Sequence, residues 1–521
     1  MGISIIKFSG MPALGRYSKQ SVTIGSILAV FTLLMSILFI NAYPWDTTAY
    51  HLPFTARQFH IEDLSGITEL LPSRYEGFPK LWRIALYPGL ILRAPRLFLL
   101  CNFLSIGILC IASMKMLRMP WWLTCCAVLC FPISLEGFRS SYQDFSTNAF
   151  IAAGALFIAC SDNDNSIANH HWKRINFGLL LLALAANIKT QGLLMAIAVL
   201  ASCVFWTLIQ KKRNQVSYYR KKSEQSANKL QASIFSRLIT CSLLVVIFVQ
   251  PIANIFSHFN PFYPVRVFGL QGTEAQYLTP IQYIPNVPIA KNLLGFYSSA
   301  LEIDPIVRSE QSWFFRRSLW ASNAVKKQFY RSGEAVISDI RTGGSNGFLF
   351  LILSIIAFWP LYYILSGNAK IKLDMPRAKL MTSVILIAFL PQSMELRYYL
   401  GALFVTCLLA LISVNKFFSK LSLTMVLLAM SFSIVAVFQG NLKTALKETV
   451  GQRTIGATIL NIINVDRNQL ISAERCYEIG AMRSDMHGDK RVLILNKAKV
   501  ENNIPFQCRM VIEKNTFIDY V

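Results

Sequence analysis

Two acidic side chains stand where a membrane protein could use a carboxylate for chemistry. Asp46 follows the first long apolar run by a few residues, and Asp144 lies between two later runs. A carboxylate at the lipid–water boundary can accept the proton of a hydroxyl nucleophile, and charged groups at membrane depth tend to be functional. Tyr50 lies four residues after Asp46, so on a helix the two would share a face, with His51 beside them. The alternative role for both acids is a helix cap or a partner for a helix dipole.

Two basic side chains lie in polar breaks between apolar runs. Lys189 stands in the break Ile-Lys-Thr-Gln-Gly, and Arg397 stands in the break Glu-Leu-Arg-Tyr-Tyr, directly before Tyr398. Lysine and arginine at the outer surface of a membrane can hold a phosphate or a pyrophosphate. The alternatives are a charged head that reaches the interface from an apolar stem and, for Arg397, an ion pair with Glu395.

Further basic residues lie in the loop that follows Asp46. Arg74 and Lys80 belong to a short polar stretch, and Arg83 comes next. They are additional candidates for holding a phosphate. Segment 78–96 is apolar but interrupted by prolines and basic residues, which is typical of an interfacial or re-entrant helix rather than a complete span. Such a helix beside a pocket would be well placed to admit a lipid.

The elements that position these residues follow from the composition. The chain has 521 residues, of which 54% are hydrophobic and 15% are charged, whereas a soluble domain carries about 25% charged residues. The apolar residues fall into uncharged blocks, which excludes a soluble multidomain enzyme and a disordered chain. We therefore predict an all-α polytopic membrane protein of about eleven transmembrane helices. The predicted spans are 21–42, 97–114, 119–135, 145–161, 175–188, 190–210, 238–257, 342–369, 380–394, 398–415 and 421–442.

Loop charge sets the predicted orientation. If the N-terminus is cytoplasmic, the short loops assigned to the cytoplasm carry many basic residues and few acids, as is usual for membrane proteins. The formal net charge of +24 is then mostly a property of topology. Because the bases lie in short loops rather than in one folded patch, we predict no nucleic-acid partner.

Domain organisation follows from the long outside segments. Residues 1–442 form the predicted membrane domain, with outside loops 43–96 and 258–341. With eleven spans the C-terminus lies outside, so residues 443–521 form a tail on the outer face. The alternating apolar character of that tail predicts a small α/β domain.

The cysteines indicate no metal site by their spacing. Of the 11 cysteines, nine lie in or beside predicted spans, where they are expected to be buried small hydrophobes. Cys476 and Cys508 share the outside tail, where a disulfide is permitted. A bridge between these two is therefore predicted.

Four short sequences resemble motifs of one enzyme family. They are Asp46-x-x-x-Tyr-His-Leu-Pro53, Lys189-Thr-Gln-Gly192, Asn260-Pro-Phe-Tyr-Pro264 and Arg397-Tyr-Tyr-Leu400. In this order, and on one predicted membrane face, they resemble the bacterial polytopic glycosyltransferases of the GT-C superfamily, which include protein mannosyltransferases and aminoarabinose transferase-like enzymes. Each motif is short, and the ordered set is the more specific signal.

The resemblance implies a transferase that takes a sugar from a polyprenyl-phosphate carrier outside the cytoplasmic membrane of a bacterium. It makes Asp46 the catalytic acid and Asp144 a second acid, and it makes Arg397 and Lys189 the residues that hold the carrier phosphate. Because the leaving group is an anion and the hydroxyl needs a base, this set would support a single inverting displacement. The acceptor pocket would be lined by Tyr50, His51, Tyr263 and Tyr398.

One departure leaves the metal and the acceptor open. Relatives that modify protein or lipid A often carry an acidic pair in the first loop, whereas Thr47 follows Asp46 here. A second acid would then come from Glu62, Asp63 or Asp144. A divalent cation is therefore an alternative, no cofactor is required, and the acceptor is a glycan, a lipid or a protein.

Three other functions remain alternatives. A surface-polysaccharide ligase or polymerase would take an oligosaccharide from a pyrophosphate carrier, and the arginines of loop 258–341 suit it. A transporter or flippase for lipid-linked sugars would show polar residues at mid-bilayer and broken helices in both halves, whereas the polar residues gather at the outer ends of spans. An assembly protein would use the tail as its binding module.

Overall fold

The structure is a computed structural model, and helices dominate the part of the chain that it describes. The residues described are 19–40, 51, 55, 58–59, 79–92, 94–161, 168–218, 228–261, 263, 352–358, 375–390, 400–417, 424–431, 433–435 and 437. The predicted tail domain at 443–521, its cysteines and the domain boundary at residue 442 lie outside these residues and stay predictions.

The helices follow the predicted apolar runs closely. In chain order they are α1 (Lys19–Leu38), α2 (Leu81–Ile91), α3 (Leu100–Leu117), α4 (Trp121–Leu129), α5 (Pro132–Arg139), α6 (Asp144–Ala159), α7 (Ala168–Ile188), α8 (Thr190–Tyr218), α9 (Asn228–Ile247), α10 (Val249–His258), α11 (Met375–Ala388) and α12 (Leu400–Phe417). A 3-10 turn, Pro95–Leu99, leads into α3. Residues 352–358 and most of 424–437 are also helical.

Several of these helices are long and apolar enough to cross a membrane. Within the described residues three meet this test, namely α1, the helix Arg96–Leu117 and Thr190–Ile209, and the number rises to five if each of two bent pairs counts as one span. The predicted membrane protein is confirmed at this level. The total of eleven spans and the orientation of the termini stay predictions.

The two bent pairs have prolines at their breaks. Helices α4 and α5 meet at 107°, where the single span 119–135 was predicted. Pro132 has no N–H to continue the α4 hydrogen bonds, and Phe131 before it is extended. Helices α9 and α10 meet at 44° beside Phe248, and Pro251 lies in the first turn of α10, where a proline cannot donate a hydrogen bond back to α9.

Helix α6 forms the centre of the bundle. All of its 16 residues are buried, and it packs against α3, α7, α8, α11 and α12. Its contact with α7 is close because Gly154 faces Gly178, where an added Cβ on Gly154 would lie 2.9 Å from the Gly178 carbonyl oxygen. Small residues let helix backbones approach in a membrane, where packing rather than the hydrophobic effect drives association. Asp144 begins this central helix.

Helices α7 and α8 meet at the polar break predicted around Lys189. Helix α7 ends at Ile188, and α8 begins at Thr190. A Cβ on Gly192 would overlap with the backbone carbonyl of Ala185 and lie 2.9 Å from Cγ2 of Thr147 on α6. The glycine in this motif is therefore required because the α7 backbone and a side chain of α6 both lie against it beside Lys189.

Candidate functional site

An ion pair between Asp144 and Lys189 forms the centre of the candidate site. Asp144 begins α6, Lys189 separates α7 from α8, and the lysine Nζ donates to Oδ1 of the aspartate. The side chains are 3% and 10% exposed. Because α6 and α7 are joined through the Gly154–Gly178 contact, the start of one helix lies beside the end of the other. The pair is therefore a product of the helix packing.

The alternative role of Asp144 as a helix cap is wrong. The residue at the cap position is Gln143, and its side chain makes no capping hydrogen bond. Asp144 instead contributes its main-chain carbonyl to Asn148 Nδ2 at 2.7 Å, and its carboxylate to Lys189. The negative charge does lie at the helix N-terminus, where the helix dipole favours it.

Buried Asn102 on α3 fixes the turn that leads into Asp144. Its amide nitrogen donates to the carbonyls of Phe138 and Ser140, both at 2.9 Å, and its amide oxygen accepts from Ser146 Oγ at 2.5 Å. One side chain thus holds both sides of the α5–α6 turn. Since an unsatisfied buried amide is costly, the backbone position of Asp144 at the start of α6 is well determined. Sequence reasoning missed Asn102, because an asparagine inside an apolar run has no local signal for its partners.

Asn148 connects the Asp144 helix to the motif that contains Arg397. Its Oδ1 accepts from the main-chain N–H of Gly401 at 2.7 Å, and Asn148 is fully buried. Helix α12 begins at Leu400, three residues after Arg397 in the sequence. The start of α12 is therefore held one turn of α6 away from Asp144. Arg397 and Tyr398 themselves lie outside the described residues.

His51 and Arg83 bring the segment that follows the first predicted span to the same site. Both side chains are buried. Burial, and then the positive charges of Lys189 and Arg83, hold the pKa of His51 well below its ordinary value of 6.5, so the imidazole is neutral at pH 7. Both charges therefore lie close enough to His51 to act on its imidazole.

The segment that contains His51 is held against α2. Thr55 Oγ1 donates to the His51 carbonyl at 2.7 Å, the Phe59 N–H donates to the Thr55 carbonyl at 3.1 Å, and the Phe59 and Tyr87 rings lie 4.2 Å apart. Helical hydrogen bonding is therefore present between Thr55 and Phe59. The segment lies directly after the candidate base Asp46, which is outside the described residues.

Two arginines hold the chain where it leaves the first span. Arg139 Nη1 donates to the Phe39 carbonyl at 2.7 Å, and Arg96 Nε donates to the Ile37 carbonyl at 3.3 Å. Arg139 also pairs with Glu136 at 2.6 Å. Carbonyls in the last turn of a helix lack intrahelical partners, and cations there also interact favourably with the helix dipole. The segment that carries Asp46 thus starts from a fixed point.

An apolar groove begins next to Lys189. It has a volume of about 520 Å³ and a wholly apolar surface, which is within the size range of small-molecule sites. The bend between α9 and α10 opens it against α8. Asn187 Nδ2 donates to the Val246 carbonyl at 2.9 Å, which joins the groove to the polar break. It is lined by Leu193, Ile197, Leu244, Val245, Phe248, Pro251, Ile252, Ile255 and Pro261.

Tyr263 lies two residues after groove residue Pro261 and packs against the end of α10. Its ring stacks on His258 with centroids 3.7 Å apart. Asn254 Nδ2 donates to the Tyr263 carbonyl at 3.1 Å, and the Tyr263 N–H donates to the Asn260 carbonyl at 3.1 Å. Asn260, Pro261 and Tyr263 of the Asn-Pro-Phe-Tyr-Pro motif thus form a turn after α10. Pro261 of this turn also lines the groove.

Sequence reasoning found part of this site. The structure brings Asp144, Lys189, His51 and the candidate phosphate ligand Arg83 together, whereas the candidate Lys80 is exposed. Lys80 and Arg83 are both evident in the sequence as basic residues of one segment. They differ in the structure, where Arg83 is buried and Lys80 is exposed. The predicted site residues that lie outside the described part of the chain are Asp46, Tyr50, Arg74, Arg397 and Tyr398.

The described part of the chain shows neither a metal cluster nor a disulfide. No three His, Cys, Asp or Glu side chains among these residues could hold a metal ion. The nine described cysteines are free thiols, and seven of them are buried, as small hydrophobes inside a helix bundle would be.

Comparisons with known proteins do not establish the function of this chain. No family model matches the chain, and no curated protein does. Two solved structures of ArnT from Cupriavidus metallidurans are similar to it at 13% identity and a TM-score of 0.35. In the apo state the match covers 76% of this chain and 77% of ArnT, and with bound undecaprenyl phosphate it covers 77% and 79%. A likeness at this level carries no conclusion about activity.

Proposed function

We propose that this chain is a membrane glycosyltransferase that moves a sugar from a polyprenyl-phosphate carrier to an acceptor hydroxyl. The reaction takes place at the outer face of a bacterial cytoplasmic membrane, with Asp46 as the general base. The observation that carries the proposal is the position of buried Lys189 four residues before Leu193, the first residue of an apolar groove. A donor with an anionic head and a long apolar tail would fit this arrangement, with its head at the lysine and its tail in the groove.

The head of the donor would be held by cations from separate parts of the chain. Lys189 lies at the α7–α8 break, and Arg83 comes from α2. Arg397 is proposed as a third, because three residues separate it from Leu400 and such a length of chain spans no more than about 11 Å. A cation that meets the phosphate oxygens stabilises the charge that develops as the phosphate leaves.

The tail of the donor would lie in the groove. Several groove residues are partly open to the surrounding lipid, among them Ile197, Val245 and Ile252, at 39%, 60% and 41% exposure. A tail that enters from the bilayer exchanges one apolar environment for another, so packing rather than the hydrophobic effect determines the gain. The groove therefore orients the donor, and the charged head supplies most of the selectivity.

The proposed reaction is a single displacement. The acceptor oxygen bonds to the anomeric carbon as the bond from that carbon to the phosphate oxygen breaks. The electron pair leaves with the phosphate, and the hydroxyl proton passes to Asp46. Because attack and departure occur on opposite faces, the anomeric configuration inverts. His51, neutral at pH 7, would line the pocket as a hydrogen-bonding side chain beside the phosphate cations.

The test is turnover by purified protein in proteoliposomes that contain undecaprenyl-phosphate monosaccharides and a membrane-lipid extract as the acceptor source. We expect the wild type to release undecaprenyl phosphate and to label an acceptor. Asp46→Asn should lower turnover by about 100-fold or more and should still bind undecaprenyl phosphate. Turnover near the wild-type level would exclude Asp46 as the base. Movement of intact donor across the vesicle, with no transfer, would support a transporter instead.

A further inference from the structure

We propose that Asp144 is a positioning residue, the resident counter-ion of Lys189, and that the donor phosphate takes its place when the donor binds. The inference rests on the proposed function, which supplies the phosphate. It replaces the prediction that Asp144 is a second catalytic acid. In this assignment the ion pair is the resting state of the phosphate site.

The contacts of Asp144 support an exchangeable partner. Its carboxylate makes no hydrogen bond to the first turn of α6, and within the described structure its partner is the Lys189 ammonium. Its main chain, by contrast, is firmly held, since the carbonyl accepts from Asn148 and the preceding turn is bound by Asn102. The backbone can therefore stay in place while the carboxylate turns away.

The burial of Lys189 explains why a resident counter-ion is needed. The lysine side chain is 10% exposed, and a buried ammonium without an anionic partner is strongly unfavourable. The positive charge of Arg83 nearby, which acts on the same imidazole as that of Lys189, adds to this need.

The chemistry of lysine makes the exchange feasible. An ammonium is a compact charge with three equivalent donors, and it lacks the two-pronged geometry by which arginine selects a carboxylate. A phosphate oxygen can therefore replace a carboxylate oxygen at Nζ without a change in lysine position. The groove begins at Leu193 in the next turn, so a phosphate attached to a tail in that groove would reach Lys189 from the lipid side.

The assignment predicts an effect on affinity that a catalytic acid would not produce. If the phosphate competes with Asp144, then Asp144→Asn removes the competitor and preserves the shape of the side chain. We expect the dissociation constant for undecaprenyl phosphate to fall by about fivefold or more, a typical size for coupling between two ligands. The KM for the lipid donor should fall with it, while kcat changes less than tenfold. Asp144→Glu, which restores the charge, should return the affinity to the wild-type value.

The experiment is titration of the purified full-length protein in nanodiscs with undecaprenyl phosphate. Glu136→Gln is the matched control, because it also removes one carboxylate from an ion pair. Its partner is Arg139, and both side chains are partly buried. It should bind as the wild type does. Tighter binding by Asp144→Asn alone supports the proposal, as does binding by Asp144→Asn where the wild type shows none.

The other outcomes overturn it and remain distinguishable. Suppose the wild type binds undecaprenyl phosphate and folded Asp144→Asn binds it equally or more weakly. This outcome excludes the counter-ion role of Asp144 and leaves the proposed function intact. A kcat loss of about 100-fold at unchanged affinity returns Asp144 to a catalytic role. No binding by either protein removes both proposals.

If Asp144→Asn does not fold, a structure of the wild type with undecaprenyl phosphate decides the question. A phosphate at Lys189 Nζ with Asp144 turned away supports the exchange. Bound lipid with the ion pair intact overturns it.

Discussion

The polar site at the α6–α7 end and the apolar groove at the α9–α10 bend are neighbours built in opposite ways. The site is closed by short hydrogen bonds and by glycine contacts, and its ionisable side chains are almost fully buried. The groove is open, has no polar surface, and leaves Ile197 and Ile252 exposed. One side is rigidly determined by its partners, and the other is a gap left by a bent helix.

The charged head and the apolar tail of a lipid-linked ligand would have correspondingly different requirements. A charged head must meet fixed charges, because a buried charge without a partner is costly. An apolar tail comes from a bilayer that is as apolar as the groove, so it needs only a surface of the right shape. We therefore expect changes at the closed side to have larger effects than changes of similar size in the groove.

The largest effect is expected from Gly192→Ala, which tests whether the closed side depends on backbone contact. The new Cβ would overlap with the main-chain carbonyl of Ala185, and main-chain atoms cannot move as a flexible side chain can. We expect a loss of stability of about 3 kcal/mol or a failure to fold. Thermal unfolding of the purified protein in detergent measures it.

Gly107→Ala is the control for the glycine prediction. Gly107 also lies within a helix, and a Cβ there would meet nothing within 4 Å. This change should stabilise the protein by about 0.5–1 kcal/mol, because alanine loses less backbone freedom in a helix. Equal responses of the two variants would show that the α7–α8 contact is not tight.

A smaller effect is expected from Ile197→Trp, which fills the groove from α8. The indole would displace part of the tail, and since only packing is lost, the KM for a long-chain lipid donor should rise by no more than about tenfold. A short-chain donor should be unaffected, because its tail does not reach the groove. Val204→Trp is the control, since Val204 is 57% exposed on the same helix and does not line the groove. An equal rise in KM for the long-chain and the short-chain donor would show that the tail does not lie in this groove.

The smallest effect is expected from His51→Gln, measured as stability against pH. The pKa of His51 is lowered in the folded protein, so protonation favours the unfolded chain, and stability is lost as the pH falls below about 6.5. The variant lacks this proton, so its stability should fall less steeply between pH 6.5 and 5. The difference in slope should be at most about 1.4 kcal/mol per pH unit. Parallel curves would place His51 in a solvated position.

Local patterns were sufficient for the helices and for the break at Lys189. Apolar run length and charged or glycine interruptions are properties of neighbouring residues, and they predicted the limits of α3, α6 and α12 to within a few residues. The prolines were visible as well, but the 107° angle between α4 and α5 was not, because a proline specifies a break and the packing around it specifies the direction.

The partners within the site could not be predicted in the same way. Lys189 and Asp144 are 45 positions apart, and Asn148 and Gly401 are 253 apart. Nothing in the local sequence distinguishes buried Arg83 from exposed Lys80, which lie three residues apart. Contacts of this kind depend on which helices come together.

The order of residues along the chain was sufficient to indicate a membrane protein with acids and bases at the ends of its apolar runs, because hydropathy and chain breaks act over a few residues. The contact between Asp144 and Lys189, the hold of Asn148 on the start of α12 and the groove at the Phe248 bend became visible only in the folded protein. The physical reason is the close approach of α6 and α7 at Gly154 and Gly178, which aligns charges that are distant along the chain.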